Sequence, residues 1–233
     1  MTGEQGGATP QDDGAETLVF VHIPKCAGSS FRQVLKRWFG PAALFIDTHD
    51  AAALEQAVGR MESPPKAIAG HLPYGLHGGL PIRPAYVTLV RHPLDRFVSV
   101  FRHAQRTPED PLHSAARELE LEAFYDFTLS DPRARRRTVA VQCQFVAGDR
   151  SFEAARDALE RAYVLAAPVE RYEAFVRACA DRFGRPAAIP PARNVSPDAA
   201  IDQALRTRLE ARIADDHGED LKLYRHVCAK FDR

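Results

Sequence analysis

The pattern of apolar and polar residues divides this chain into short buried strands and amphipathic helices. Residues 18–23 form a nearly unbroken apolar run with β-branched and aromatic members, which is typical of a strand covered on both faces of a parallel sheet. The apolar residues that follow recur at the spacing of one helix face, and they are Phe31, Val34, Leu35 and Trp38. Gly40 and Pro41 end this helix. Residues 17–40 are therefore predicted to form a strand, a tight turn and a helix.

The order of strand, turn and amphipathic helix is repeated near the middle of the chain. Residues 85–90 are the clearest second strand, and Arg91, His92 and Pro93 follow them directly. The next apolar residues again have helical spacing, and they are Leu94, Phe97, Val98 and Phe101. The chain thus uses the order of strand, basic turn and amphipathic helix twice.

Weaker signals fill the rest of the sequence. Short apolar runs that suit further strands lie at 42–48, 66–70 and 163–167. Further helices are predicted at 50–61, with Asp50 as the cap, and at 112–129, 131–148, 152–161, 170–183 and 205–227. A proline-rich loop at 185–197 is of the kind that covers a site.

Strands that alternate with helices indicate an α/β fold, a P-loop-like parallel sheet flanked by helices on both faces. In such sheets ligands bind outside the carboxyl ends of the strands. Lys25, His71 and Arg91 would each closely follow a strand. We therefore expect these three residues to lie along one edge of the sheet.

Composition narrows the range of partners. Lys plus Arg and Asp plus Glu number 31 each, so the net charge is zero and no global field favours nucleic acid or a membrane. No apolar run approaches the ~20 residues of a membrane span. The first 16 residues are Gly-rich and acidic and lack the pattern of a secretory signal, so we expect a disordered tail at 1–16 and a single domain at 17–233. The four scattered cysteines indicate a reducing cytoplasm.

The turn after the first strand is a candidate anion site. Residues 25–30 would lie at a helix N-terminus, where unpaired N–H groups and the positive end of the helix dipole favour an anion. Lys25 adds a full positive charge, and Ser29 and Ser30 add hydroxyl groups. This turn could hold a phosphate or a phosphosulfate.

The turn lacks the GxxxxGK[ST] order of a Walker A loop, since its lysine comes first. FVHIPKCAGSSF instead resembles the 5′-phosphosulfate loop of sulfotransferases that use 3′-phosphoadenosine 5′-phosphosulfate (PAPS), in the branch with the heparan sulfate 2-O-sulfotransferases and bacterial relatives. The resemblance implies that the donor is bound by Lys25, Cys26, Ala27, Gly28, Ser29 and Ser30.

Two further segments are similar to this family. VTLVRHPLDRFVSVF resembles its 3′-phosphate element, which implies that Arg91 and Ser99 hold the 3′-phosphate, although His92 stands where the family tends to have Asp. IAGHLPY resembles the segment with the catalytic histidine, which implies that His71 is the general base. An imidazole with a pKa near ~6.5 suits that role at neutral pH. QCQFVAG, with Gln144 where Arg is usual, is a weaker match.

The resemblance implies in-line transfer of a sulfuryl group to an acceptor hydroxyl of a small molecule or glycan. Lys25 and the N–H groups of residues 28–30 would stabilise the developing negative charge. No metal is expected. Two alternatives remain open: a nucleotide kinase-like phosphotransferase, and a non-catalytic nucleotide-binding or glycan-binding protein of the same fold.

Several residues also have a simpler interpretation. His22 lies within the strand and is expected to be structural, and Cys26 is expected to be a packing residue rather than a reactive thiolate. His77 shares the loop of His71, but two histidines without a third ligand do not indicate a metal site. The arginines at 133–137 form either a solvated helix face or a docking surface for an anionic acceptor.

Overall fold

A five-stranded sheet, in which all neighbouring strands are parallel, forms the centre of the molecule. The structure is a computed structural model that describes residues 16–187 and 201–231. The strands are β1 (Glu16–Val21), β2 (Ala43–Phe45), β3 (Ala67–Gly70), β4 (Arg83–Val90) and β5 (Tyr163–Pro168). Their spatial order is β2-β3-β1-β4-β5, so β1 lies in the middle.

The burial of β1 shows that both faces of the sheet are covered. Leu18, Val19, Phe20 and Val21 are all fully buried, although successive side chains of a strand point to opposite faces. Both faces therefore pack against other elements, as expected for a parallel sheet. The predicted α/β class is confirmed.

Eleven α-helices lie within the described residues. In chain order they are α1 (Gly28–Phe39), α2 (Ala51–Gly59), α3 (Pro93–Arg106), α4 (His113–Glu118), α5 (Leu121–Ser130), α6 (Pro132–Thr138), α7 (Val141–Ala147), α8 (Phe152–Ala162), α9 (Tyr172–Arg182), α10 (Gln203–Asp216) and α11 (Gly218–Phe231). Short 3₁₀ turns occupy Gly40–Ala42 and Val169–Arg171.

The two amphipathic helices bury the faces that their spacing predicts. Phe31, Val34, Leu35 and Trp38 of α1 are buried against the sheet, and Leu94, Phe97, Val98 and Phe101 of α3 are buried in a second cluster with α5 and α10. The Asp50 carboxylate accepts a hydrogen bond from the N–H of Ala52 at 2.9 Å, so the predicted cap of α2 is confirmed.

Three predicted helices are wrong as single elements, and one of them, expected at 205–227, divides into α10 and α11 at His217. The helix expected at 112–129 breaks into α4 and α5, because Leu119 and Glu120 have extended backbone conformations. The helix expected at 131–148 breaks into α6 and α7 at Ala140, which has a φ of 49°. The break at Ala140 starts a new helix N-terminus at Val141, which the candidate site uses. Gly148 ends α7 in the left-handed conformation, as predicted.

Two predicted segments fall largely outside the described residues. These are the tail, apart from Glu16, and the loop at 185–197, of which residues 185–187 are described. Glu16 itself is the first residue of β1 and forms an ion pair with Arg182. The strand thus begins at the last residue of the expected tail.

Candidate active site

Three turns with candidate functional residues leave adjacent strands at the same edge of the sheet. Val21 at the end of β1 pairs in register with Gly70 of β3 and with Thr88 of β4. Because the strands are parallel, the turns that begin at His22, His71 and Arg91 start from one edge. The structure therefore brings the three predicted regions together.

The turn after β1 exposes the N-terminus of α1. Lys25 and Ala27 have φ angles of 69° and 57°, in the left-handed region that residues other than glycine seldom adopt. The methyl group of Ala27, the N-cap, cannot accept a hydrogen bond, so the N–H groups of Gly28 and Ser29 remain available to an outside acceptor, whereas the N–H of Ser30 donates to the carbonyl oxygen of Ala27 at 3.1 Å. The first turn also carries no negative charge, since it consists of Gly28, Ser29, Ser30 and Phe31. These features suit a binding site for an anion.

A stack of aromatic rings connects this turn to His71. A Cβ atom at Gly28 would lie 1.8 Å from Cδ2 of His22, so only glycine allows the imidazole to pack against the start of α1. The His22 ring also stacks on the ring of His71, with ring centroids 4.2 Å apart and planes inclined by 27°. His22 thus places His71 beside the helix N-terminus.

The hydrogen bonds of His71 define which ring nitrogen is available. Its Nδ1 lies 3.0 Å from the carbonyl oxygen of His22. A carbonyl can only accept, so Nδ1 carries the proton and the neutral ring keeps its lone pair on Nε2. The main-chain N–H of His71 donates to Oδ1 of Asp47 at 2.8 Å. His71 is held at both its ring and its backbone.

Both histidines of the stack favour the neutral form. Burial lowers the pKa of His22 to about 3, and the charge that His71 carries when protonated acts in the same direction. Burial also lowers the pKa of His71 below its usual value of 6.5, although the hydrogen bond to His22 and the Asp47 carboxylate act in the opposite direction. Partial burial raises the pKa of Asp47, but the N–H of His71 and the charge of Arg32 outweigh it and hold that pKa below its usual range. A neutral His71 can accept a proton at pH 7.

The turn after β4 places a second cation next to the first. Nη1 of Arg91 lies 3.4 Å from the main-chain oxygen of Lys25 and donates to it. Burial lowers the pKa of Lys25, and the positive charges of Arg106 and Arg91 lower it further. Ser99 lies half-buried on α3, about two turns along the helix from Arg91. Lys25 and Arg91 therefore belong to one positively charged region.

The sequence analysis did not single out Gln142 or Asp220. Gln142 is fully buried on α7, and its Oε1 accepts from the N–H of Arg91 at 2.9 Å while its Nε2 donates to the carbonyl oxygen of Arg91 at 2.9 Å. The carboxylate of Asp220, from α11, accepts from the N–H groups of Gln142 and Cys143 at 3.2 and 3.0 Å. The family-like segment QCQFVAG contains Gln142, but only the fold brings Gln142 into contact with Arg91 and Asp220.

Other candidate residues take structural or peripheral positions. Burial raises the pKa of the Cys26 thiol to about 12, and its N–H donates to the carbonyl of Ile23 at 3.2 Å, which fits the packing role. His77 is buried against Tyr86, with a pKa lowered to about 4 by burial. Within residues 16–187 and 201–231, no group of three or more His, Cys, Asp or Glu side chains could hold a metal ion.

The arginine cluster at 133–137 is mostly a solvated face of α6, since all four of its arginines are exposed. Arg137 differs from the others because its Nη2 lies 3.8 Å from Oδ2 of Asp110. The Asp110 carboxylate in turn raises the pKa of Lys25 against the dominant effect of burial. One end of the cluster therefore reaches the surroundings of Lys25.

Comparisons with known proteins identify the family of this chain. The sequence profile of the Sulfotransferase family matches residues 12–145. The chain belongs to this family, and it is therefore a sulfotransferase, an enzyme that transfers a sulfuryl group. No curated protein matches the chain.

Two solved structures are similar to this chain. A sulfotransferase from Alicyclobacillus acidocaldarius is 14% identical with a TM-score of 0.56, and the match covers 94% of this chain and 99% of that one. The mouse sulfotransferase SULT7A1 complexed with PAP is 16% identical with a TM-score of 0.48, and the match covers 86% of this chain and 65% of that one. The first likeness supports the fold. Among the described helices, none has the length and apolar character needed to cross a membrane.

Proposed function

We propose that this sulfotransferase uses PAPS as its donor and transfers the sulfuryl group to a hydroxyl group of a small molecule or saccharide. The observation that carries the proposal is the position of the His22 ring. This ring packs against Gly28, at the helix N-terminus, and it stacks on the ring of His71. The proposed proton acceptor and the proposed anion site therefore contact the same side chain.

The residues of the first turn suit the 5′-phosphosulfate. The N–H groups of Gly28 and Ser29, with Lys25 beside them and Ser30 in the same helical turn, would hold its oxygens at the positive end of α1. Ala27 and Cys26 shape the turn, the first by its left-handed conformation and the second by its buried thiol. When bound, the donor supplies the sulfuryl group, whose bond to the phosphate oxygen breaks as the bond to the acceptor oxygen forms.

The second turn suits the 3′-phosphate. Arg91 offers a planar fork of donors, and Ser99 offers a hydroxyl group from the next helix. The contact between Arg91 and the Lys25 carbonyl, at 3.4 Å, fixes the two turns next to each other. One nucleotide with two separate anionic groups would therefore engage both turns.

His71 would act as the general base. Its Nε2 accepts the proton of the acceptor hydroxyl as the acceptor oxygen attacks sulfur, while Nδ1–H stays bonded to the His22 carbonyl. Lys25 and the N–H groups of α1 stabilise the charge that builds on the leaving phosphate oxygen. The exposed imidazole of His49 lies near the base, since the buried Phe145 ring contacts both His71 and His49.

The base is tested with the variant His71→Asn. Asparagine keeps an N–H that can reach the His22 carbonyl but has no basic nitrogen. We expect the turnover rate with PAPS and a responsive acceptor to fall about 10²- to 10⁴-fold. The affinity for PAP, measured by calorimetry, should not change, because the N–H groups of α1 are intact. Full turnover in this variant would overturn the role of His71.

The donor is tested by calorimetry with PAP and with ATP plus Mg²⁺. We expect tighter binding of PAP, with the difference lost in Arg91→Ala. Tighter binding of ATP would instead support the phosphotransferase alternative. The cytoplasmic location inferred from the cysteines stays a prediction, and localisation of a tagged full-length chain would test it.

A further inference from the structure

The side chain of Gln142 joins the two turns of the candidate site. Its Oε1 accepts from the N–H of Arg91 and also lies 3.6 Å from the Sγ of Cys26, which can donate to it. Its Nε2 donates to the carbonyl oxygen of Arg91. One fully buried amide therefore contacts the turn after β1 and the turn after β4.

These contacts define the orientation of the amide. The N–H of Arg91 needs an acceptor and the carbonyl of Arg91 needs a donor, so exchanging the amide oxygen and nitrogen would mismatch both groups. The pair of bonds at 2.9 Å binds the Arg91 backbone as a neighbouring strand would. The backbone at the start of the second turn is thus held in one position.

The backbone of Gln142 is itself held by hydrogen bonds to Asp220. It is the second residue of α7, and both carboxylate oxygens of Asp220 accept N–H groups of that first helical turn. Asp220 is itself fully buried, and burial raises its pKa, although the positive charge of Arg96, which is also buried, acts in the opposite direction. A carboxylate at a helix N-terminus stabilises the helix, so the Gln142 amide is presented from a rigid support.

We propose that Gln142 is a positioning residue that couples the two phosphate turns, so that the 3′-phosphate contributes its full binding energy only when this amide is present. The proposal rests on the proposed function, because it assumes a donor with a 3′-phosphate. Gln142 acts through Arg91 and Cys26 and does not itself need to contact the nucleotide.

The experiment compares the affinities for PAP and for AMP, which lacks the 3′-phosphate. Gln142→Met keeps the length of the side chain but removes both hydrogen-bonding groups. We expect it to weaken PAP binding about 10- to 100-fold, because two buried backbone groups lose their partners, and to leave AMP binding nearly unchanged. Gln144→Met is the matched control, since Gln144 lies on the same helix and its Nε2 donates to the carbonyl of Gly148.

Cys26 provides a second pair of variants should Gln142→Met fold poorly. Cys26→Ala removes the donor to the amide and should reduce the ratio of PAP to AMP affinity, whereas Cys26→Ser keeps a donor and should restore it. Equal weakening of PAP and AMP, or an unchanged ratio in both Gln142→Met and Cys26→Ala, would overturn the coupling. A wild-type protein that binds PAP no better than AMP would instead overturn the donor assignment, and this proposal with it.

Discussion

The turn after β1 and the turn after β4 follow adjacent strands, yet they present different groups to an anion. The first turn contains two residues in the left-handed region, Lys25 and Ala27, and leads into a helix that begins with Gly28. The second turn is short, and Pro93 occupies the first position of α3. The first turn thus offers main-chain N–H groups, whereas the second offers the side chain of Arg91.

The two helix N-termini differ in charge as well. The first turn of α1 carries no carboxylate, whereas α3 has Asp95 in its first turn and lacks one N–H at Pro93. The Asp95 carboxylate pairs with Arg206 at 2.9 Å and opposes a second anion there. An anion at the second turn must therefore be held by side chains such as Arg91 and Ser99.

This difference matches the chemistry of the proposed donor. Charge moves during transfer at the 5′ end, where fixed N–H dipoles and Lys25 can stabilise it without rearranging. The 3′-phosphate keeps its charge throughout, so a strong pair of side chains is sufficient to bind it. In the proposed function, the repeated order of strand, basic turn and helix would hence serve two tasks, catalysis in the first unit and binding in the second.

The largest expected effect comes from a side chain that fills the space between residue 28 and the His22 ring. Gly28→Ala would place a Cβ atom 1.8 Å from the His22 ring, which packs against His71. We expect activity and PAP binding to be lost, with destabilisation of about 1–3 kcal/mol measured by urea unfolding. Gly59→Ala is the control, because its Cβ would have no neighbour within 4 Å. Normal activity in Gly28→Ala would show that the first turn does not need this packing.

The second-largest expected effect distinguishes the catalytic task of the turn after β1 from the binding task of the turn after β4. Lys25→Ala should lower kcat about 10²- to 10³-fold, because it removes a group that stabilises the transition state. Arg91→Ala should mainly weaken PAP binding, by about 10- to 100-fold, because it removes a charged pair to a phosphate that does not react. Steady-state kinetics and calorimetry on both variants check this division. If both substitutions change the same parameter, the two turns do not differ in task.

The smallest effect concerns the pH dependence of the base. His71 must be neutral to accept a proton, and burial lowers its pKa, so kcat/KM should fall only when the pH drops below the usual ~6.5 of histidine. The Asp47 carboxylate raises that pKa, so Asp47→Asn should move the fall to still lower pH while keeping an acceptor for the His71 N–H. A pH–rate profile measures both. A shift to higher pH in Asp47→Asn would contradict the assignment.

Local patterns in the sequence were enough to predict much of this fold. The helical spacing of Phe31, Val34, Leu35 and Trp38 depends on one element only, and α1 buries all four. Asp50 caps its helix and Gly148 ends another, because each acts on its own backbone. The strand before His71 and the strand before Arg91 were found in the same way.

The remaining features depend on contacts between distant segments. The break at Ala140 does not follow from its side chain, since alanine favours a helix, and it creates the N-terminus that Asp220 contacts. His22 was expected to be structural, but its carbonyl and ring both orient His71. The contact of Gln142 with Arg91 joins residues 51 positions apart, so the local sequence around Gln142 does not predict it.

The support from Asp220 has a consequence for the order in which the protein can mature. The first turn is synthesised early, yet its Cys26 contacts a residue 116 positions later, and that residue depends on a carboxylate 78 positions further on. During translation, β1 and α1 can form long before the amide that joins the two turns is in place. The candidate site is consequently complete only after α11 has docked, because Asp220 lies on that helix.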